Sequence, residues 1–130
     1  VIKNMNAVFR SLTQEDIEIY RQKYEEFLKE KHMKEMKEKY KVCRIEMDIV
    51  KDEQKAISLF GDIFKTTDHE AIKNEIKRRK YKVVKNKIGK QYIFVLFEKA
   101  IAEYIYDRTI DMMLKVDIYE YTEEYESFFN

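Results

Sequence analysis

From Cys43 to Ile49 apolar and polar residues alternate without a break, the pattern of a strand with one buried face. The stretch before it has a different period. Ile17, Tyr20, Tyr24 and Phe27 or Leu28 recur at helical spacing, and Met33, Met36 and Tyr40 continue the pattern with a shift of phase. Thr13 is placed to cap this helix, Asp16 to complement its dipole and Leu12 to staple its entry. The spacing predicts a helix over 13–40 whose other positions are almost all Lys and Glu, a charged rod with one narrow apolar stripe. Such a stripe suits packing against a second copy or against the rest of the domain, although the several clean heptads of a coiled coil are missing. Met36, Tyr40, Cys43, Met47 and Val50 also fit a single helical stripe, so strand and helix both stay open for 42–50, with β-branched content favouring the strand.

Beyond the strand, Asp52 is a cap for a helix through Phe64 with Ala56, Ile57, Phe60 and Ile63 inward. Thr67-Asp68-His69-Glu70 has the T-x-x-E form of a capping box and predicts a second helix through Ala71, Ile72 and Ile76 to about Lys80. Tyr81 to Lys85 and Gln91 to Phe97 read as strands joined by Asn86-Lys87-Ile88-Gly89-Lys90, a hairpin. Ala100, Ile101, Tyr104, Ile105 and Ile110 give a last helix over Glu98 to about Leu114. The Tyr- and Glu-rich tail from Lys115 to Asn130 fits strand or helix.

At 130 residues the chain is expected to form a single α+β, helix-rich domain, with 45% hydrophobic and 39% charged residues excluding a disordered tail. Its longest uncharged apolar run, Tyr92 to Phe97, is far shorter than the ~20 residues of a membrane span. Val1 to Arg10 shows no secretory signal, and the lone Cys43 has no partner for a disulfide or a zinc cluster, so a reducing, cytoplasmic setting is expected. The dominance of Lys over Arg suggests an AT-rich genome such as that of a phage or plasmid.

Charge redraws this picture, because the net +1 hides a segregation. Residues 1–64 balance, whereas residues 65–90 carry ten basic side chains against Asp68, Glu70 and Glu75, and residues 91–130 carry three basic against nine acidic. A concentrated basic segment is what neutralising nucleic-acid phosphates requires; the alternative is a solvated Lys-rich face offset by the acidic tail.

The order helix, strand, helix, short turn, helix, strand, turn, strand, helix resembles the winged helix-turn-helix family of DNA-binding domains over residues 42–97. A long N-terminal helix (13–40) precedes that core, and a C-terminal helix with an acidic tail (98–130) follows. The resemblance implies a recognition helix over 68–80 in the major groove and a wing over 86–90 on the backbone. These are the segments with the basic excess. Carried over, Asn74 and Arg78 are candidates for adenine and guanine edges, and Lys73, Lys77, Arg79, Lys80, Lys85, Lys87 and Lys90 for phosphates. The expected protein is a homodimeric duplex-DNA binder, a repressor, replication or partition factor, with the acidic C-terminal segment open to a protein partner and no membrane association. Two departures from the family stand out: Arg79-Lys80 lies where many winged helices have Gly, and the turn Lys65-Thr66-Thr67 lacks one, with Gly61 too early.

No enzyme is expected, and no catalytic residue, cofactor or metal site. His32 and His69 have no ligand-spaced neighbours. Cys43 falls on the apolar face of its strand, as an inert thiol does. Glu75-Ile76-Lys77 has a nuclease-like E-x-K spacing but on a helix, where the two charged groups diverge. Most aromatics fall at core positions, leaving Tyr81 and Tyr92 beside the wing as candidates for stacking on bases. The alternatives are a non-enzymatic protein-interaction module such as a phage-encoded inhibitor or adaptor, and a ferredoxin-like β-α-β-β-α-β fold whose mark is a strand at Lys115 to Tyr121 joined to the central sheet.

Overall fold

The computed structural model describes residues 13–130. The stretch Val1 to Arg10 and the proposed staple at Leu12 lie outside the described residues. The chain divides into two compact units, one ending at Glu35 and one spanning Met36 to Asn130.

Helix α1 (Gln14–Lys39) starts at the expected cap. The Thr13 hydroxyl accepts the Asp16 amide N–H at 3.1 Å while the Asp16 carboxylate accepts the Thr13 amide at 3.2 Å, so two end donors are satisfied reciprocally. No α1 residue is buried, and the apolar stripe is open: Tyr20, Tyr24 and Phe27 are 59%, 62% and 59% exposed.

In the second unit, the chain passes directly into β1 (Tyr40–Glu46), then α2 (Glu53–Phe64), α3 (His69–Arg78), β2 (Tyr81–Lys85), β3 (Gln91–Glu98), α4 (Lys99–Met112), β4 (Val116–Glu120) and α5 (Glu123–Phe129). The sheet runs β2-β3-β1-β4 with every pair antiparallel. Strand β4 beside β1, with Cys43 opposite Ile118, is the feature that the β-α-β-β-α-β reading contains and the winged-helix reading lacks. The β1, α2, α3 and β2–β3 order is common to both.

Alternation sorts the sheet into two faces. Cys43, Ile45, Ile93, Val95 and Phe97 meet Leu59, Phe60, Ile72, Ile76, Ala102 and Ile105 in the main core, so α2, α3 and α4 cover one face. On the other face Val42 and Leu96 are buried, Phe94 packs edge-on against Phe128 at 4.8 Å between ring centroids, and Tyr119 faces Tyr125 at 6.4 Å. Helix α5 therefore shields part of that second face. The buried Tyr121 hydroxyl donates to Glu126 at 2.6 Å, and burial together with this carboxylate pushes its pKa up.

Several boundaries differ from the sequence expectation for identifiable reasons. Strand β1 begins at Tyr40 and stops at Glu46, because the Asp48 carboxylate accepts the amides of Val50 and Lys51 (3.0 and 3.1 Å) and folds 48–51 into a turn. The Asp52 carboxylate accepts the Asp48 amide at 2.9 Å and makes no cap bond to α2. The cap of α3 is Asp68, which accepts the Glu70 amide; the Thr67 capping box does not form, and α3 ends at Arg78, two residues short of Lys80. The hairpin closes as expected: the Asn86 side chain accepts the Ile88 and Lys90 amides, and Gly89 has φ +85°, a backbone only glycine adopts without steric cost. The ambiguous tail resolves into β4 and α5.

Candidate nucleic-acid interface

Helix α3 packs on the sheet through Ile72 and Ile76, which are buried, and this fixes what it turns outward. Asn74, Lys77 and Arg78 are exposed. Lys73 is largely covered and pairs with Glu70, whose carboxyl it holds below the usual range, first by hydrogen bonding and then by charge. Arg78 pairs with Glu75 at 2.8 Å. Glu75 and Lys77 flank the buried Ile76 on the helix. These exposed pairs are weak obstacles to a phosphate, since a surface ion pair is worth at most about 1 kcal/mol.

The remaining candidates fall at two ends of β2, about 17 Å apart at the usual rise of a strand. At the hairpin end Lys85 and Lys87 are exposed, with no carboxylate in ion-pair range among the described residues, and Lys90 reaches Glu46 at 3.3 Å. Two lysines that sequence spacing did not single out join them. Lys51 and Lys55 line, with Lys85 and Lys90, a groove of about 340 Å³ between the hairpin base and the start of α2; Glu46, Asp48 and Asp52 lie in the same groove. The signal was absent from the sequence because the β1–β3 register, with Glu46 opposite Tyr92, is what brings residues 51–55 beside the hairpin.

At the other end the structure takes Arg79 and Lys80 away from this surface. Arg79 leaves α3 in extended conformation and lays its guanidinium 5.5 Å from the Phe64 ring centroid and 5.2 Å from that of Phe97, with Nε buried and without a hydrogen-bond partner. Lys80 turns to the opposite sheet face, 3.3 Å from the Tyr121 hydroxyl and 3.6 Å from Glu126. Of the nine residues selected from sequence, Asn74, Lys77 and Arg78 thus share the outer part of α3 with Lys73 largely covered beside them, and Lys85, Lys87 and Lys90 share the hairpin.

The two tyrosines beside the wing separate. Tyr81 packs against the main core, whereas Tyr92 lies on the opposite face with the Arg44 guanidinium 5.2 Å from its ring centroid. Arg44 also stands over Tyr119 at 5.7 Å and is ion-paired to Asp117. His69 contacts the Ile49 carbonyl oxygen at 2.7 Å, tying the start of α3 to the end of the β1 turn. Among the described residues no group of three or more His, Cys, Asp or Glu side chains could hold a metal, and no helix is long and apolar enough to cross a membrane. Comparison with family models, curated proteins and solved structures finds no match to this chain.

Proposed function

We propose that this protein is a non-catalytic nucleic-acid-binding protein that takes duplex DNA on the surface made by the outer face of α3 and the β2–β3 hairpin. The observation that supports this reading is the placement of Lys77, Lys85 and Lys87, exposed and with no carboxylate in ion-pair range among the described residues, on elements that sequence order alone had marked. Each such lysine set against a phosphate releases condensed counterions. Asn74 offers an amide suited to an adenine edge, and the hairpin lysines are suited to the phosphate backbone, a division of roles that rests on their exposure and chemistry because β4 beside β1 departs from the winged-helix order. Lys51 and Lys55 extend the phosphate track. Replacing Lys77, Lys85 and Lys87 together by Ala should make the slope of log affinity against log salt shallower by about 3, read by fluorescence anisotropy on a random-sequence duplex. A folded triple variant with an unchanged slope overturns the reading.

The open stripe of α1 supports a homodimer. Ile17, Tyr20, Tyr24 and Phe27 repeat at spacings of three and four along one side of the helix. Tyr24→Glu should convert a dimer to a monomer in sedimentation equilibrium, because an unpaired buried charge costs several kcal/mol. The same stripe, with the acidic residues of α5, favours the second reading, a protein-interaction module; a parent chain that is monomeric and does not bind DNA selects it.

A further inference from the structure

A cavity of about 700 Å³ opens between the C-terminal end of α2, the α2–α3 turn and α4, remote from the hairpin lysines. Its charged lining consists of Lys65, Arg108 and Asp62, and its hydroxyls include those of Ser58 and Thr67. Asp62 accepts the Tyr104 hydroxyl at 3.3 Å and keeps its charge, so the lining carries two positive groups against one negative. Neither base has a carboxylate in ion-pair range among the described residues. Arg108 donates from Nη2 to the Ser58 carbonyl oxygen at 2.8 Å, and among the described residues its guanidinium makes no other hydrogen bond. Its Nε is shielded from solvent with no partner, an arrangement proteins normally avoid. A guanidinium presents its donors in a planar fork that matches phosphate oxygens, and besides the shielded Nε the Nη1 group and one Nη2 hydrogen have no partner among the described residues.

Lys65 adds an independent observation. It ends α2 in the left-handed region at φ 54°, and both its amide and that of Thr66 bond back to the Gly61 carbonyl oxygen. Glycine is the usual residue at such a helix end because it adopts the conformation without a clash. The turn is tight as well, with a Cβ on Gly61 coming within 3.0 Å of the Thr66 carbonyl oxygen. A lysine therefore stands at a left-handed helix end, as Met113 does at the end of α4, and unlike Met113 it lines a cavity together with a second base, Arg108.

We infer that the α2–α4 cavity is a binding site for a phosphate group, held by the Lys65 ammonium, the Arg108 guanidinium and the Thr67 hydroxyl. Its ligand is either a free phosphate monoester or an internucleotide diester. The site stands apart from the α3 and hairpin surface and does not depend on the duplex-DNA reading.

Lys65→Gly separates binding from folding. Removing the side chain relieves the left-handed backbone, so the thermal midpoint should hold or rise, while phosphate affinity falls at least about tenfold, the equivalent of one charge-assisted hydrogen bond. Met113→Gly is the control, because Met113 ends α4 with the same left-handed backbone (φ 58°) and does not line the cavity. Adenosine monophosphate and a dinucleotide without terminal phosphate are the two probes, each titrated while the Arg108 Nε–H resonance is followed by NMR. The expected result is a saturable shift of that resonance with at least one probe, weakened by Lys65→Gly and unaffected by Met113→Gly. Response to the monophosphate assigns a free ligand, and response to the dinucleotide alone assigns a nucleic-acid backbone. No shift with either probe, or equal affinity in Lys65→Gly and the parent chain, overturns the site.

Discussion

Phe60→Ala should lower the unfolding free energy by about 3–5 kcal/mol. Phe60 is fully buried, with its ring stacked on Phe64 at 5.8 Å and on Phe97 at 6.0 Å, so one side chain joins α2 to the central strand β3. Truncation removes the transfer free energy of the ring and leaves a void among close-packed neighbours, Leu59 and Ile105 included. It also loosens the Phe64–Phe97 pair on which the Arg79 guanidinium rests. Against a typical domain stability of about 5–15 kcal/mol, such a loss brings the fold near its limit. Urea titration would show it as a lower midpoint with an unchanged slope. A loss below about 1 kcal/mol would mean that α2 is not anchored through this cluster.

The second large effect is alkaline. Burial pushes the Cys43 thiol from 9.0 up to about 12, because the main core cannot solvate a thiolate. A folded pKa raised above the unfolded one gives a contribution fully present below pH 9 and lost as pH rises toward 12, since only the unfolded chain releases its proton in that window. The slope is about 1.4 kcal/mol per pH unit. Lysines and tyrosines titrate in the same range, so the informative quantity is the stability difference between the parent chain and Cys43→Ala. That difference should shrink by about 2 kcal/mol between roughly pH 8 and pH 10.5. A difference independent of pH would place Cys43 in contact with water. The same burial makes slow alkylation of the native thiol the expected behaviour.

Local signals in the sequence carried most of the elements, because those elements are decided locally. The α1 cap at Thr13, the inward residues of α2 and the Asn86–Gly89 turn all depend on neighbours within four residues. Where the reading shifted, short polar side chains had two competing backbone partners. Asp52 served the Asp48 amide instead of its own helix, and Asp68 displaced Thr67 as the cap. The fourth strand was ambiguous because five residues, Val116–Glu120, carry too little pattern, and their pairing with β1 is set 73 residues away in sequence, as between Arg44 and Asp117. The basic segment was visible as composition, yet its distribution over surfaces was not. Arg79 and Lys80 are adjacent to the outward residues of α3 in sequence but are drawn off by aromatic rings and by Glu126, while Lys51 and Lys55 reach the hairpin only through sheet register. The αL backbone of Lys65 was likewise hidden, because a missing glycine in a turn reads as a mismatch until the backbone is seen.

The most direct test of the account is titration of a fluorescently labelled random-sequence duplex with the parent chain at several salt concentrations. Contacts from Lys77, Lys85, Lys87 and the neighbouring Lys51 and Lys55 predict a log–log slope of about −4 to −5, at nearly one counterion per phosphate contact. Absence of binding at low salt, or affinity that does not change with salt, would contradict duplex binding and leave the lysines of α3 and the hairpin as a solvated face.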